Sequence, residues 1–223
     1  MHLDRPTPRL PDRAPGRAPG GAASAAPPSL AERVGGRLLG AAVPVAVLIA
    51  AMWAVQIVLV FLGRLVIPGL GLIPRRVDGL VGILFSPLLH AGWGHLIGNT
   101  TALLVLLPVA ALVSARPVRL LAAAWLGSGL LTWVIGTPGV HIGASGIVYA
   151  LVAFLIVYGI AARRAVAVVV SVVVALTHLG SSLIGLLPAA GISWTGHLAG
   201  AIVGVLLGLW WGRGDRRPRR ALD

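Results

Sequence analysis

Residues 143–164 read GASGIVYALVAFLIVYGIAARR. A string of small residues leads into an apolar run, and no charge appears until Arg163 and Arg164 close it. A helix rises about 1.5 Å per residue and needs roughly 20 apolar residues to cross a bilayer's hydrocarbon, so this run reads as a membrane span. Working outward, comparable runs give six spans in all: 38–62, 95–115, 119–136, 146–162, 165–180 and 195–212. Pro44 and Pro108 fall inside spans, which membrane helices tolerate when neighbours satisfy the freed carbonyls. The whole composition agrees, with 57% hydrophobic and 11% charged residues against about 25% charged in soluble domains. Mean hydropathy is +0.95. The expected fold is therefore an all-α, polytopic, six-helix membrane bundle.

Charge orders the ends. All 18 basic residues are arginine, set against six acids for a net charge of +12. The arginines gather in the tails and short turns rather than along one face, so a nucleic-acid footprint is not the reading. With the amino terminus inside, fifteen arginines lie on the cytoplasmic side and three, Arg64, Arg75 and Arg76, outside. This is a strong positive-inside bias that places both termini in the cytoplasm. Residues 1–36 alternate Arg, Pro, Ala and Gly and are expected to be a disordered cytoplasmic tail. Residues 37–212 form the membrane domain and 213–223 a basic cytoplasmic tail. The first apolar run is too long for a signal peptide and is kept as a helix. The apolar stretch 63–94 is broken by Pro68, Gly69, Gly71, Pro74 and Pro87, and is expected to be an external loop lying partly in the membrane interface. Arg-only, Ala/Gly/Pro-heavy composition points to a GC-rich bacterial genome and hence to a bacterial cell membrane.

The chemistry is approached by elimination. Cysteine is absent, and between Glu32 and Asp215 the only acid is Asp78. Paired-carboxylate proteolysis, HExxH zinc chemistry and carboxylate-coupled transport lack their residues; no metal or organic cofactor is expected. The remaining polar groups are a hydroxyl, an imidazole and a donor pair at the outer ends of the fourth, sixth and second spans. Ser145 opens a helix, where free N–H groups favour developing negative charge. Its hydroxyl needs a base, and His197 is the candidate. No carboxylate can orient that base, so the pair is a dyad. Gly143 and Gly146 permit a sharp bend and close substrate approach. Tyr149, one turn after Ser145, can support the imidazole, while His95 and Asn99 share i, i+4 spacing and can donate to an oxyanion together.

Taken singly, each of these residues is more often a helix-packing group than a catalytic one. Three blocks together carry more: His90-Ala91-Gly92-Trp93-Gly94-His95-Leu96-Ile97-Gly98-Asn99, then Gly143-Ala144-Ser145-Gly146 with Tyr149, then Gly196-His197-Leu198-Ala199-Gly200 with Gly204. In this order, on the second, fourth and sixth spans, the chain resembles the rhomboid family of intramembrane serine proteases over about residues 38–212. The resemblance implies a six-helix core with a cavity opening outward. It implies Ser145 as nucleophile, His197 as general base, and Asn99, His95 and the Ser145 N–H as oxyanion donors. Gly200 and Gly204 would let the sixth span approach the fourth, as small-xxx-small packing also suggests. Substrates would be single-span membrane proteins, with the lipid bilayer as the other partner and no nucleic acid. One departure stands in the first external loop, where many members carry an aromatic-Arg pair and this chain has Val81 and Gly82.

Two other functions fit parts of the pattern: a catalytically silent rhomboid-like binder of membrane proteins, and a small polytopic transporter. The intact Ser145 and His197 speak against the first, and the absence of intramembrane carboxylates and of matching halves against the second. His90 is expected to brace the loop, His141 to serve structurally near the site mouth, and His178 to sit in the interface.

Overall fold

The computed structural model describes residues 29–216. Seven helices follow in order: α1 (Leu30–Leu70), the short α2 (Gly82–Phe85), α3 (Trp93–Val113), α4 (Pro117–Ile135), α5 (Ser145–Ala162), α6 (Ala165–Ile184) and α7 (Trp194–Arg216). All but α2 are long and apolar enough to cross a membrane. The six spans expected from the sequence are thus six helices, and the chain is an all-α polytopic bundle.

Three boundaries are corrected. The tail does not run to residue 36, because α1 begins at Leu30 behind a capping box: Glu32 N–H donates to Ser29 Oγ (3.2 Å) and Ser29 N–H to the Glu32 carboxylate (2.6 Å). This reciprocal pair satisfies helix-end donors locally and needs no apolar neighbour, which is why a reading based on hydropathy started the helix late. The external loop is also shorter than 63–94, because α1 continues through Pro68 to Leu70. At 41 residues it is about 60 Å long, twice the hydrocarbon thickness. At the other end α7 reaches Arg216, so residues 213–216 are helix rather than tail. The expected disorder of 1–28 and the end of the basic tail, 217–223, lie outside the described residues.

Helix α5 is the axis of the bundle. Ile147, Ala150, Leu151, Phe154, Leu155 and Tyr158 are all essentially inaccessible, packed against Leu96, Leu103, Leu106 and Leu107 of α3 and Leu120 and Ala124 of α4. On its other side α7 approaches through Gly196, Gly200, Gly204, Gly208 and Gly212, one glycine per turn. A Cβ at Gly200 or Gly204 would overlap the carbonyl oxygens of Gly146 or Ala150. Backbone-to-backbone contact of this kind maximises dispersion where no hydrophobic drive exists between helices. Helix α1 packs on α3, where Trp53 Nε1–H donates to Thr100 Oγ1 (3.1 Å). Helix α6 lies at the edge, burying only Ala167, Ser171 and Val174.

Candidate active site

Because α3, α5 and α7 run the same way, their amino-terminal turns lie at one end of the bundle around a cavity of about 610 Å³ lined by His95, Asn99, Ser145, Tyr149 and His197. Ser145 is the first residue of α5. His197, in the first turn of α7, places Nε2 2.9 Å from Ser145 Oγ. Its other nitrogen, Nδ1, lies 2.7 Å from the carbonyl oxygen of Gly185. A carbonyl only accepts, so Nδ1 carries the hydrogen and Nε2 offers its lone pair to the serine. The imidazole is held from its face as well. Tyr149 stacks on it with centroids 4.2 Å apart and planes 6° from parallel. An imidazole in this tautomer, aimed at a hydroxyl, can take that hydroxyl's proton as the oxygen attacks.

The donor pair converges from α3. Asn99 is buried, lines the cavity, and its Nδ2 has no hydrogen-bond partner. An orphaned buried amide costs about 1–3 kcal/mol, a cost that an acceptor entering the cavity would relieve. Gly143 joins the three helices. It adopts φ +105°, and a Cβ there would press into the His95 imidazole at 2.5–2.6 Å and reach Asn99 Nδ2 at 3.5 Å. Both the dihedral and the space require glycine. Its N–H donates to the Ser86 carbonyl (2.8 Å), fixing the α4–α5 loop to the first loop. Of the six site residues expected from the sequence, Ser145, His197, His95, Asn99 and Tyr149 line this cavity, and Gly143 lies directly behind it, against His95 and Asn99.

A sequence model described as the Rhomboid domain matches residues 77–214, more than half the chain. The chain belongs to the rhomboid family. It is an integral, multi-pass membrane protein, as the domain and the six apolar helices together require. Uncharacterized proteins of Mycobacterium tuberculosis (strain ATCC 25618 / H37Rv) and Mycobacterium bovis are each 40% identical over 160 residues, covering 67% of this chain and 66% of theirs. One of Mycobacterium leprae is 39% identical over 155 residues, covering 65% and 61%. The matched stretch thus spans just under two thirds of these relatives' own length.

This rhomboid anchors its first loop without the usual aromatic-Arg pair. Arg75, at φ +59°, donates from its guanidinium to the carbonyls of Val134 (3.2 Å) and Gly136 (2.8 Å), while Trp133 Nε1–H donates to the Arg76 carbonyl (2.8 Å). Trp125 Nε1–H holds the Ile83 carbonyl at 3.1 Å. Gly82, where an arginine is usual, is buried so tightly that a Cβ would overlap the Leu72 backbone. The loop is thus tied to α4 by two tryptophans and by an arginine that enters the sequence reading only as a charge.

The remaining histidines fall outside the dyad. His141 Nε2–H donates to the Thr137 carbonyl (2.8 Å), and Nδ1 accepts from Ser193 Oγ (2.5 Å), so it braces the α4–α5 loop against the start of α7 while bordering the cavity. His90 packs edge-on against His95 at 5.0 Å. Burial, with the neighbouring His95 second, holds its imidazole down to about 4, and thus neutral. The His178 imidazole bonds only its neighbour Thr177. Two site features were missed by sequence reasoning: the Gly185 carbonyl and a pocket of about 30 Å³ behind Ser145, bordered by Ser86, Ser128, Thr132 and Ser193, room for about one water.

Proposed function

We propose that this chain is an intramembrane serine endopeptidase that cleaves single-span membrane proteins near the outer leaflet through the Ser145–His197 dyad. The observation that carries the proposal is the imidazole locked between two partners, Nδ1–H on the Gly185 carbonyl and Nε2 on Ser145 Oγ. Family membership supports it, since rhomboids are generally intramembrane serine proteases. Ser145 Oγ attacks the scissile carbonyl as its proton passes to His197 Nε2. The developing oxyanion is met by Asn99 Nδ2, the Ser145 N–H and His95, and the negative charge is favoured further by the α5 amino terminus. His197 then returns the proton to the leaving amine. A water, activated by the same nitrogen, releases the acyl group from Ser145. The Gly185 carbonyl acts where a carboxylate stands in a triad, fixing tautomer and orientation without a buried charge in the bilayer. Both termini lie in the cytoplasm by the arginine distribution, which puts the dyad in the outer leaflet.

A fluorophosphonate probe on the detergent-purified full chain tests the activated serine. Labelling is expected in the parent protein and lost in Ser145→Ala and His197→Ala, with turnover of a single-span substrate reduced about 10⁴-fold or more. Undiminished labelling of Ser145→Ala would remove Ser145 as nucleophile. Silence in a folded parent protein that also leaves single-span substrates uncut would favour the binder reading. Asn99→Ala is expected to lower kcat about 10²–10³-fold with little change in KM; a change confined to KM would deny it oxyanion contact.

A further inference from the structure

A second serine and a second histidine meet beside the dyad. Ser193 stands just before α7, and His141 lies in the α4–α5 loop, four residues ahead of Ser145. Ser193 Oγ is 2.5 Å from His141 Nδ1, and His141 Nε2 is 2.8 Å from the Thr137 carbonyl oxygen. A carbonyl only accepts, so Nε2 carries the hydrogen, Nδ1 offers its lone pair, and the Ser193 hydroxyl donates. The His197 imidazole is held in the opposite tautomer. His141 is buried, and both of its ring nitrogens are committed to protein neighbours.

The two sides of this joint are each tied to one half of the dyad. On the loop side the His141 backbone exchanges hydrogen bonds with Leu72 in both directions (2.8 and 3.0 Å), so the imidazole stands on a fixed post. On the helix side the Ser193 carbonyl accepts from the His197 N–H (3.0 Å), so a displacement of Ser193 passes to the base within one helical turn. Gly196 keeps that turn clear, since a Cβ there would press on Ser193 Oγ at 2.5 Å. A second rung runs beside the first, with Thr137 N–H donating to Thr195 Oγ1 (3.1 Å). The segment that delivers the nucleophile thus grips the turn that delivers the base, at the edge of the catalytic cavity that His141, Ser193 and Ser145 all border.

We propose that His141 and Ser193 are positioning residues for the dyad: their hydrogen bond sets the first turn of α7 against Ser145, and with it the separation of Ser145 Oγ from His197 Nε2. This role rests on the dyad reading given above. A misplacement of about 1 Å can cost about 10²-fold in rate, so the joints that hold a site's supporting side chains act on rate as well as on stability. The Gly185 carbonyl fixes how the base is turned; the Ser193 joint fixes where the backbone that carries it stands. With both His141 nitrogens and the Ser193 proton already engaged, the pair keeps no donor for a substrate, which favours holding over binding.

The test compares isosteres. In His141→Asn the side-chain oxygen stands where Nδ1 stood and keeps the Ser193 contact alone, whereas the amide nitrogen of His141→Gln keeps the Thr137 contact alone. The second-order rate of fluorophosphonate labelling, taken per folded molecule of the detergent-purified full chain, reads the dyad with no membrane substrate involved. His141→Gln and Ser193→Ala are expected to slow labelling about tenfold or more and to lower kcat on a single-span substrate in step, with KM changed less than about twofold. His141→Asn and Ser193→Thr should stay within about threefold of the parent. A role in packing alone would favour the longer Gln over Asn, and that order overturns the proposal. So does labelling at the parent rate in folded Ser193→Ala, and so does a loss confined to KM, which would make the pair a substrate contact. Circular dichroism reports folding, and the order of Asn and Gln decides the matter if Ser193→Ala does not fold. Label found on Ser193 in Ser145→Ala would make Ser193 a nucleophile and likewise overturn the role. A parent that takes no label removes the dyad and this role with it, whereas a labelled parent with unaltered variants removes the positioning role alone.

Discussion

Helices α6 and α7 both lie against α5, on very different terms. Between α5 and α7, Gly200 and Gly204 meet the Gly146 and Ala150 backbone with no side chain between them, and Gly208 and Gly212 continue the close approach beside Val157 and Ala161. Helix α6 buries three residues, and its polar tie is Ser171 Oγ, which donates to the carbonyls of Leu155 (2.7 Å) and Ile156 (2.6 Å). Its far half exposes Leu176, Leu179, Leu183 and Ile184. The two atoms that must meet to within a few tenths of an ångström, Ser145 Oγ and His197 Nε2, stand on the tightly joined pair. The loosely joined helix lines none of the cavity around them and reaches the pair only through the Gly185 carbonyl at its end. Precise placement is thus assigned to one interface of α5 rather than to the other.

The largest effect should come from wedging the tight interface. Gly204→Leu would force α7 off the Ala150 carbonyl and is expected to cost about 3 kcal/mol or more, removing both probe labelling and a sharp unfolding transition. Normal labelling in that variant would break the comparison. Next comes the stacked ring. Tyr149→Ala should lower kcat about tenfold, the equivalent of about 1.4 kcal/mol, whereas Tyr149→Phe, which keeps the face, should stay within about twofold. Equal losses in both would mean that the hydroxyl, not the ring, matters. On the loose side Ser171→Ala should cost about 1 kcal/mol of stability, read from the unfolding midpoint, and leave probe labelling intact. The smallest effect is expected for Leu176→Ala and Leu183→Ala, within about 0.5 kcal/mol of the parent; a large loss would show that α6 is held by contacts beyond its three buried residues.

How much of this was legible beforehand depended on where the signal resides. Ser145, His197, His95 and Asn99 stood out because polar side chains in apolar spans are few, and alternation of the spans put them at one end. Gly200 and Gly204 were readable as spacing, although the full stripe from Gly196 to Gly212 was not drawn. The Gly185 carbonyl was invisible, since a main-chain oxygen leaves no trace in residue identity and the fifth span was ended at 180. The first loop's anchoring was hidden for another reason. Arg75 and Trp133 are 58 positions apart, and only the folded chain shows that they serve one joint. The start of α1 is a different matter, because Ser29 and Glu32 form a recognisable S-x-x-E box that a search for apolar runs passes over.

The acceptor on His197 Nδ1 has an implication for how this site tolerates change. A triad can be disarmed by a single codon change at its acidic member, but every amino acid brings a carbonyl oxygen. Substitution at position 185 therefore cannot delete the group that holds the base; it can only move it, as a Cβ pressing on the Tyr149 hydroxyl would. A residue-by-residue alanine survey would register Gly185 as a steric position and overlook its polar part. The tautomer of the base is written into the path of the backbone, and it drifts only if the end of α6 drifts with it.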